Sequence, residues 1–235
     1  MLKLVFPGTR GEIEESNEQH QYHSSLLIVS DDERLLIDYG MLHRYNLEEL
    51  APDALLITHA HPDHYAWLDR DIPTDIPVYL TEETLNYGKF RPANSRVIEP
   101  DKHIAAGSFK FLAYRVLHSI RCPAVGYKVK IQDKTLVYNP DLVDMANRAE
   151  VLADVDYYIG DGSAVKANLV RRRGEAIFGH TRMTTQINWC RRYGIEHIIF
   201  THLGREAIAA EDEFARDHPE AILARDGMEI IIQAV

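Results

Sequence analysis

The heptapeptide THAHPDH, residues 58–64, places three histidines and one carboxylate within six consecutive positions. It follows the apolar run ALLI, so these polar groups come where a buried strand is expected to end. His59 and His61 would project to the same side of an extended segment, and the proline then bends the chain before Asp63 and His64. Imidazole and carboxylate groups are ligands of divalent cations. Because such a cluster is unfavourable without a cation, the motif favours a metal site over a histidine-rich turn.

Three more candidate ligands each follow an apolar, strand-like run later in the chain. They are His118 after FLAYRVL, Asp141 after TLVYNP and His202 after HIIFT. Groups at strand ends can meet in a cleft at one edge of a sandwich. With the first four they make seven ligands, enough for two ions that share a carboxylate and a bridging water.

Composition limits the class of protein. The 235 residues include 46% hydrophobic residues and carry a formal net charge of -10, which argues against sequence-independent binding to nucleic-acid backbones. Two isolated cysteines favour neither a disulfide framework nor a cysteine-based zinc site. No run is long enough to cross a membrane and no signal peptide is recognised, so we expect a cytoplasmic protein without membrane contact.

The order of the predicted elements indicates the architecture. Strand-like runs fill the first half, including a hairpin with residues 132–134 at its tip. Helices are predicted over residues 143–152, 184–194 and 205–218, and they alternate with strands. Without repeats or long linkers, residues 1–235 are expected to form a single α/β domain. Strands first and alternation later favour an αβ/βα layered sandwich over a doubly wound sheet.

These motifs together resemble the metallo-β-lactamase superfamily. Its five motifs are an Asp after an early strand, HxHxDH, a His, an Asp and a final His, and all occur here in order, from Asp38 in LLIDYG to His202. The resemblance spans nearly the whole chain and implies the four-layer αβ/βα sandwich of the metallo-β-lactamase fold. It also implies two divalent metal ions, with zinc expected and manganese, iron or nickel as alternatives. A homodimer is a further implication.

The resemblance also implies a role for each ligand. One ion would lie on His59, His61 and His118, and the second on Asp63, His64 and His202. Asp141 would bridge the two ions. Asp38 would orient the ligand loop, although a carboxylate that only stabilises a turn remains the alternative.

Within the superfamily, the chain is most similar to the ribonuclease Z-like phosphodiesterase branch. The stretches FPGTRG, HSIRCPAVGYKVK, GDGS and GHTRMTTQINWCRRYGIEHIIFTHLG carry this similarity. It implies that Asp63, His180 and Asp161 are catalytic, with Asp161 as the partner of His180 in place of the usual Glu. The alternative for His180 is a residue that caps the following helix. The expected chemistry is attack by a metal-bridging hydroxide on a phosphodiester, in a small molecule or a nucleic acid.

Two departures limit the choice of substrate. Only 38 residues separate Asp141 from His180, which leaves no room for the long tRNA-binding arm of ribonuclease Z. Two cysteines cannot build the extra zinc site of the phosphonate-pathway cyclic phosphodiesterases. The interval does contain basic residues that could form a phosphate-binding rim or a solvated turn, namely Lys166, Arg171, Arg172 and Arg173.

Two other functions remain open from the sequence. The same metals could serve hydrolysis of an ester, lactone or thioester. A metal-binding module without catalysis is the third hypothesis, although such a protein is expected to have lost some of the seven ligands.

Overall fold

A computed structural model of the protein describes residues 1–233. The strands are β1 (Leu2–Gly8), β2 (Ser25–Ser30), β3 (Glu33–Ile37), β4 (Ala54–Leu56), β5 (Val78–Thr81), β6 (Ser95–Ile98), β7 (His103–Ala106), β8 (Phe109–Leu117), β9 (Ala124–Ile131), β10 (Lys134–Tyr138), β11 (Asp144–Met145), β12 (Tyr157–Asp161), β13 (Arg171–Arg173), β14 (Ala176–Phe178), β15 (His197–Thr201), β16 (Ala221–Leu223) and β17 (Met228–Ile232). The helices are α1 (Leu47–Leu50), α2 (Glu82–Tyr87), α3 (Arg148–Leu152), α4 (Met183–Tyr193), α5 (Arg205–Ala209) and α6 (Glu211–Asp217).

Two mixed sheets form the centre of the fold. The first has the order β17-β1-β2-β3-β4-β5-β6, antiparallel up to β3 and parallel from β3 to β6. The second has the order β11-β8-β9-β10-β12-β15-β16, with β7 also paired to β8. It is antiparallel up to β10 and parallel from there to β16.

Apolar side chains of both sheets fill the space between them. Alternate residues of β1 point inward, among them Leu4 and Phe6, and they share a cluster with Phe111 and Tyr127 of the second sheet. A second cluster joins the outer face of the second sheet to α3, α4, α5 and α6, and a third covers the outer face of the first sheet with α1. The layers are therefore helix, sheet, sheet and helix, which confirms the predicted four-layer αβ/βα sandwich.

Two of the predicted helices are wrong in extent. The helix predicted over residues 143–152 begins only at Arg148, because Asp144 and Met145 pair with the end of β8 as a short strand. The helix predicted over residues 205–218 is two short helices, broken at Ala210, whose φ of -123° is not helical. At residues 144 and 145 strand pairing overrides a local helical pattern. The predicted hairpin with residues 132–134 at its tip is present as β9 and β10.

The parallel strands determine where the polar strand ends meet. The carboxyl ends of β3 and β4 lie at one edge of the first sheet, and those of β10, β12 and β15 at one edge of the second. Polar residues follow these ends, so the predicted ligands are gathered at one edge of the sandwich. Within residues 1–233, no helix has the length and apolar character that a membrane crossing requires.

Candidate metal centre

Asp38 anchors both ends of the histidine loop. Its Oδ1 accepts a hydrogen bond from the backbone N–H of Thr58 at 2.8 Å, and its Oδ2 accepts one from His64 Nδ1 at 2.8 Å. Asp38 is fully buried and has a φ of 63°, a left-handed conformation that Asp tolerates better than most residues. Asp38 therefore turns His64 Nε2 away from itself, toward the cluster. This geometry is compatible with the loop-orienting role predicted for Asp38.

The first ligand group consists of three imidazole nitrogens. His61 Nδ1 lies 2.9 Å from His59 Nε2 and 3.2 Å from His118 Nε2. The other nitrogen of His118 donates to the carbonyl of Gly179, which leaves its Nε2 lone pair facing the group. Burial lowers the pKa of His61 to about 4 and lowers that of His118, so these rings are neutral, as metal ligands must be.

The second ligand group lies beside the first. Asp63 Oδ2 is 2.8 Å from His202 Nε2 and 3.2 Å from His64 Nε2. Ser163 orients His202 from behind: its hydroxyl donates to the His202 carbonyl at 3.3 Å and so accepts from His202 Nδ1 at 2.9 Å. This arrangement directs Nε2 at Asp63. Burial lowers the pKa of His202, but Asp141, Asp161 and Asp63 raise it to about 10, so a cation bound at Nε2 would displace a proton.

Asp141 lies between the two groups. Its Oδ2 is 2.7 Å from His64 Nε2, 3.4 Å from His202 Nε2 and 4.0 Å from His59 Nε2, while its Oδ1 is 3.6 Å from His118 Nε2. One carboxylate therefore reaches ligands of both groups. The structure thus brings all seven predicted ligands together.

The cluster has the polar surplus that a cation site requires. His64 Nε2 and Asp141 Oδ2 are 2.7 Å apart and both are buried, yet neither has a hydrogen-bond partner of acceptable geometry among residues 1–233. Burial lowers the pKa of His64, but Asp63 and Asp38 raise it well above its usual range. The buried carboxylates therefore favour a positive charge within the cluster, which divalent cations on these ligands would supply.

Asp161 and His180 form a hydrogen-bonded pair next to the ligands. His180 Nδ1 donates to Asp161 Oδ2 at 2.8 Å and lies 3.5 Å from Asp141 Oδ1. Burial raises the pKa of Asp161, but the positive charge of His180 lowers it to about 2. Burial opposes protonation of His180, but Asp161 raises the pKa of its imidazole. Because α4 begins only at Met183, with Arg182 as its cap, His180 does not have the alternative role of capping this helix.

Three side chains without a role predicted from the sequence support the residues of the site. Gln186 of α4 accepts from the Asp161 N–H at 3.0 Å and donates to the Asp161 carbonyl at 2.8 Å. The Thr58 hydroxyl bonds both Asp38 and His59 Nδ1. Thr58 and Ser163 lie inside the motifs THAHPDH and GDGS, so their position beside candidate site residues could have indicated a supporting role. Gln186 lies inside the quoted stretch GHTRMTTQINWCRRYGIEHIIFTHLG, but its contact with Asp161 spans 25 residues and does not follow from the motif itself.

A cavity of about 980 Å³ opens beside these groups. Ligand residues and His180 form its floor, and it extends outward between the loop 11–13, the segment 163–171 and α5. Of the four residues predicted as a basic rim, only Arg171 lines this cavity among the described residues. Lys166 is bound to Glu213 at 2.6 Å, and Arg172 points to the opposite face of the hairpin β13–β14.

Comparisons with known proteins agree with this fold. A family model described as the beta-lactamase superfamily domain matches residues 19–159, more than half of the chain. A ribonuclease Z of Methanopyrus kandleri is 24% identical, over 99% of this chain and 98% of the relative. The metallo-beta-lactamase fold protein YhfI from Bacillus subtilis matches 98% of this chain and 100% of its own, with a TM-score of 0.71 and 18% identity. The short form of human tRNase Z matches over 99% of this chain and 100% of its own, with a TM-score of 0.70 and 16% identity. The chain belongs to the metallo-β-lactamase superfamily and is a ribonuclease Z-like, metal-dependent hydrolase.

Proposed function

We propose that this hydrolase is a phosphodiesterase that works with two divalent cations. The observation that carries the proposal is the pair of His180 and Asp161, which lies against Asp141 beside both ligand groups. A proton-carrying imidazole next to a doubly cationic site suits the expulsion of an alkoxide from a phosphodiester. The relative named ribonuclease Z points to the same kind of bond, so RNA is one candidate substrate.

Each ligand group would hold one cation, zinc in the first instance and manganese, iron or nickel as alternatives. The proposed ligands of the first ion are His59, His61 and His118, those of the second are Asp63, His64 and His202, and Asp141 is shared. When bound, the two cations would acidify a water molecule for attack on phosphorus and offset the charge that develops on the phosphoryl oxygens.

His180 would deliver a proton to the leaving oxygen. Its Nδ1–H is held by Asp161, so Nε2 is the atom left for proton exchange with a substrate in the cavity. Asp161 in turn accepts from the backbone N–H groups of Leu142 and Ser163, at 3.1 and 2.9 Å, which fix its orientation. Asp161 is therefore proposed as a positioning residue that acts through His180.

The reaction class can be tested with model substrates. Metal-free protein reconstituted with Zn²⁺ or Mn²⁺ is expected to hydrolyse bis-p-nitrophenyl phosphate with a higher kcat/KM than p-nitrophenyl acetate or an acyl thioester. Preference for the ester, a lactone or the thioester would replace the phosphodiesterase by another hydrolase with the same metals. Failure to cleave any of them with two ions bound would contradict the proposal, and less than one ion per chain would favour a non-catalytic binding module.

Ser163 provides a test of the second ion site. The Ser163→Ala variant is expected to bind the second ion about 10- to 100-fold more weakly, because His202 loses the partner that orients its imidazole. Binding of the first ion should not change. Competition with a chromophoric chelator measures the two affinities separately. Ser24→Ala removes another buried hydroxyl, which is hydrogen-bonded to Thr201 at the end of β15. This variant should leave both affinities unchanged. If Ser163→Ala and Ser24→Ala weakened binding of the second ion equally, the role assigned to Ser163 would be wrong.

A further inference from the structure

The cavity beside the ligands has the size of a small-molecule site. Its volume of about 980 Å³ lies at the upper end of the roughly 300–1,000 Å³ typical of such pockets. Four apolar residues that line the cavity are together called the apolar wall: Ile13, Ala167, Leu169 and Ala209. A polar diester needs no such surface for its phosphate, so the wall is available to an apolar part of a ligand.

The apolar wall adjoins the reacting groups. Gly179 precedes His180 and has a φ of 108°, and a Cβ there would come within 2.1 Å of the Leu169 carbonyl oxygen. The Leu169 main chain is thus packed directly against the residue that precedes His180. Leu169 and His180 also line the same cavity, so a group that contacts Leu169 would lie near a phosphate bound at the ligand cluster.

The segment that carries Ala167 and Leu169 is held in place. Glu206 Oε2 of α5 accepts hydrogen bonds from three consecutive backbone N–H groups, those of Val165, Lys166 and Ala167, at 3.1, 2.8 and 3.0 Å. Across the cavity, Arg205 binds Glu15 at 2.6 Å and so ties α5 to the loop that carries Ile13. Both sides of the cavity are therefore fastened to α5, and the apolar surface is largely formed before a ligand binds.

The charges around the cavity favour a ligand with little negative charge. Arg205 is paired with Glu15, whereas Arg171 has no ion-pair partner within the described part of the chain and is the cation free to meet an anion. Glu12 also lines the cavity, and the chain carries a formal net charge of -10. A monoanionic diester suits this balance, while a long polyanion would be repelled by the surrounding surface.

We infer that the substrate is a small phosphodiester with one bulky apolar ester group, which binds against Ile13, Leu169 and Ala209 while Arg171 meets the phosphate. The inference rests on the proposed phosphodiesterase function and narrows its substrate class. RNA is the competing substrate, and its phosphodiesters carry a hydrophilic sugar on either side.

Binding of two phosphate monoesters to the metal-loaded protein tests the apolar wall without turnover. Calorimetry is expected to give a Kd for 1-naphthyl phosphate at least about tenfold lower than that for methyl phosphate, since only naphthyl buries apolar area. Leu169→Asn should remove most of this preference and leave the Kd of methyl phosphate unchanged. Ile222→Asn, which alters an exposed apolar residue outside the cavity, should preserve the preference.

Two neighbouring arginines of the hairpin β13–β14 test whether Arg171 contacts the phosphate. Arg171→Gln is expected to raise the Kd of both ligands by a similar factor of about three to ten, whereas Arg172→Gln, on the opposite face, should not. Equal Kd values for the two phosphates in the wild-type protein would overturn the inference. So would a kcat/KM for a structured RNA above that for naphthyl-substituted diesters. A naphthyl preference without any hydrolysis of bis-p-nitrophenyl phosphate would overturn the phosphodiesterase function and support the apolar site alone.

Discussion

Replacement of Asp141 by asparagine is expected to lower kcat/KM for bis-p-nitrophenyl phosphate by about 10³-fold or more, which corresponds to several kcal/mol of lost charge stabilisation. Asp141 Oδ2 lies 2.7 Å from His64 Nε2 and 3.4 Å from His202 Nε2, and Oδ1 lies 3.6 Å from His118 Nε2, so one change affects both proposed ion sites. The metal content, measured by plasma emission after desalting, should fall from two ions per chain to about one or fewer.

Asp133→Asn is the matched control for this substitution. Asp133 lies at the exposed tip of the hairpin that leads to Asp141, and its carboxylate contacts Lys134 rather than any ligand. This variant should keep two ions and wild-type kcat/KM. Circular dichroism of both variants checks that the sandwich has formed. If Asp141→Asn retained two tightly bound ions and full activity, the shared-carboxylate arrangement would be wrong.

The second large effect is expected at His180, and it should depend on the leaving group. His180→Ala is expected to lower kcat about 10²- to 10⁴-fold for diphenyl phosphate, whose phenolate needs a proton as it leaves. The loss for bis-p-nitrophenyl phosphate should be less than about tenfold, because p-nitrophenolate leaves readily without one. Steady-state kinetics on the two diesters measures the difference. Asp161→Asn should show the same pattern in a weaker form, since Asp161 acts by orienting His180.

The metal content of His180→Ala separates two roles for this imidazole. His180 belongs to two groups whose potential ligand atoms lie within 4.8 Å of one another. One group contains His118 and Asp141, and the other contains Asp161 and His202. As a proton donor, His180 can be removed without loss of either ion. Loss of one ion, or an equal loss of activity on both diesters, would instead identify His180 as a ligand. His103→Ala, at an exposed histidine of β7, should change neither quantity.

The ligand types and the layered fold were predictable from the sequence because both depend on local patterns. A buried strand is an apolar run, so the polar residues that follow it stand out, as His118 and His202 do after β8 and β15. The alternation of helices and strands in the second half predicted the sandwich. The extents of α3, α5 and α6 were less predictable, since pairing of Asp144 with β8 depends on a distant strand.

Tertiary structure decided which groups meet and which do not. Asp63 and His202 are separated by 139 residues, and only the edge shared by the two sheets brings them to 2.8 Å. The same is true of the Ser163 hydroxyl on His202 and of Gln186 on Asp161. The four basic residues of the interval 166–173 look alike in sequence, yet Glu213 pairs with Lys166 and the pleat of β13 turns Arg172 away from the cavity. The sequence by itself thus determined a metallohydrolase chemistry, because that chemistry resides in residue types at strand ends. The apolar wall and the position of Arg171, which lines the cavity and has no ion-pair partner within residues 1–233, depend on packing between distant segments, which local patterns do not encode.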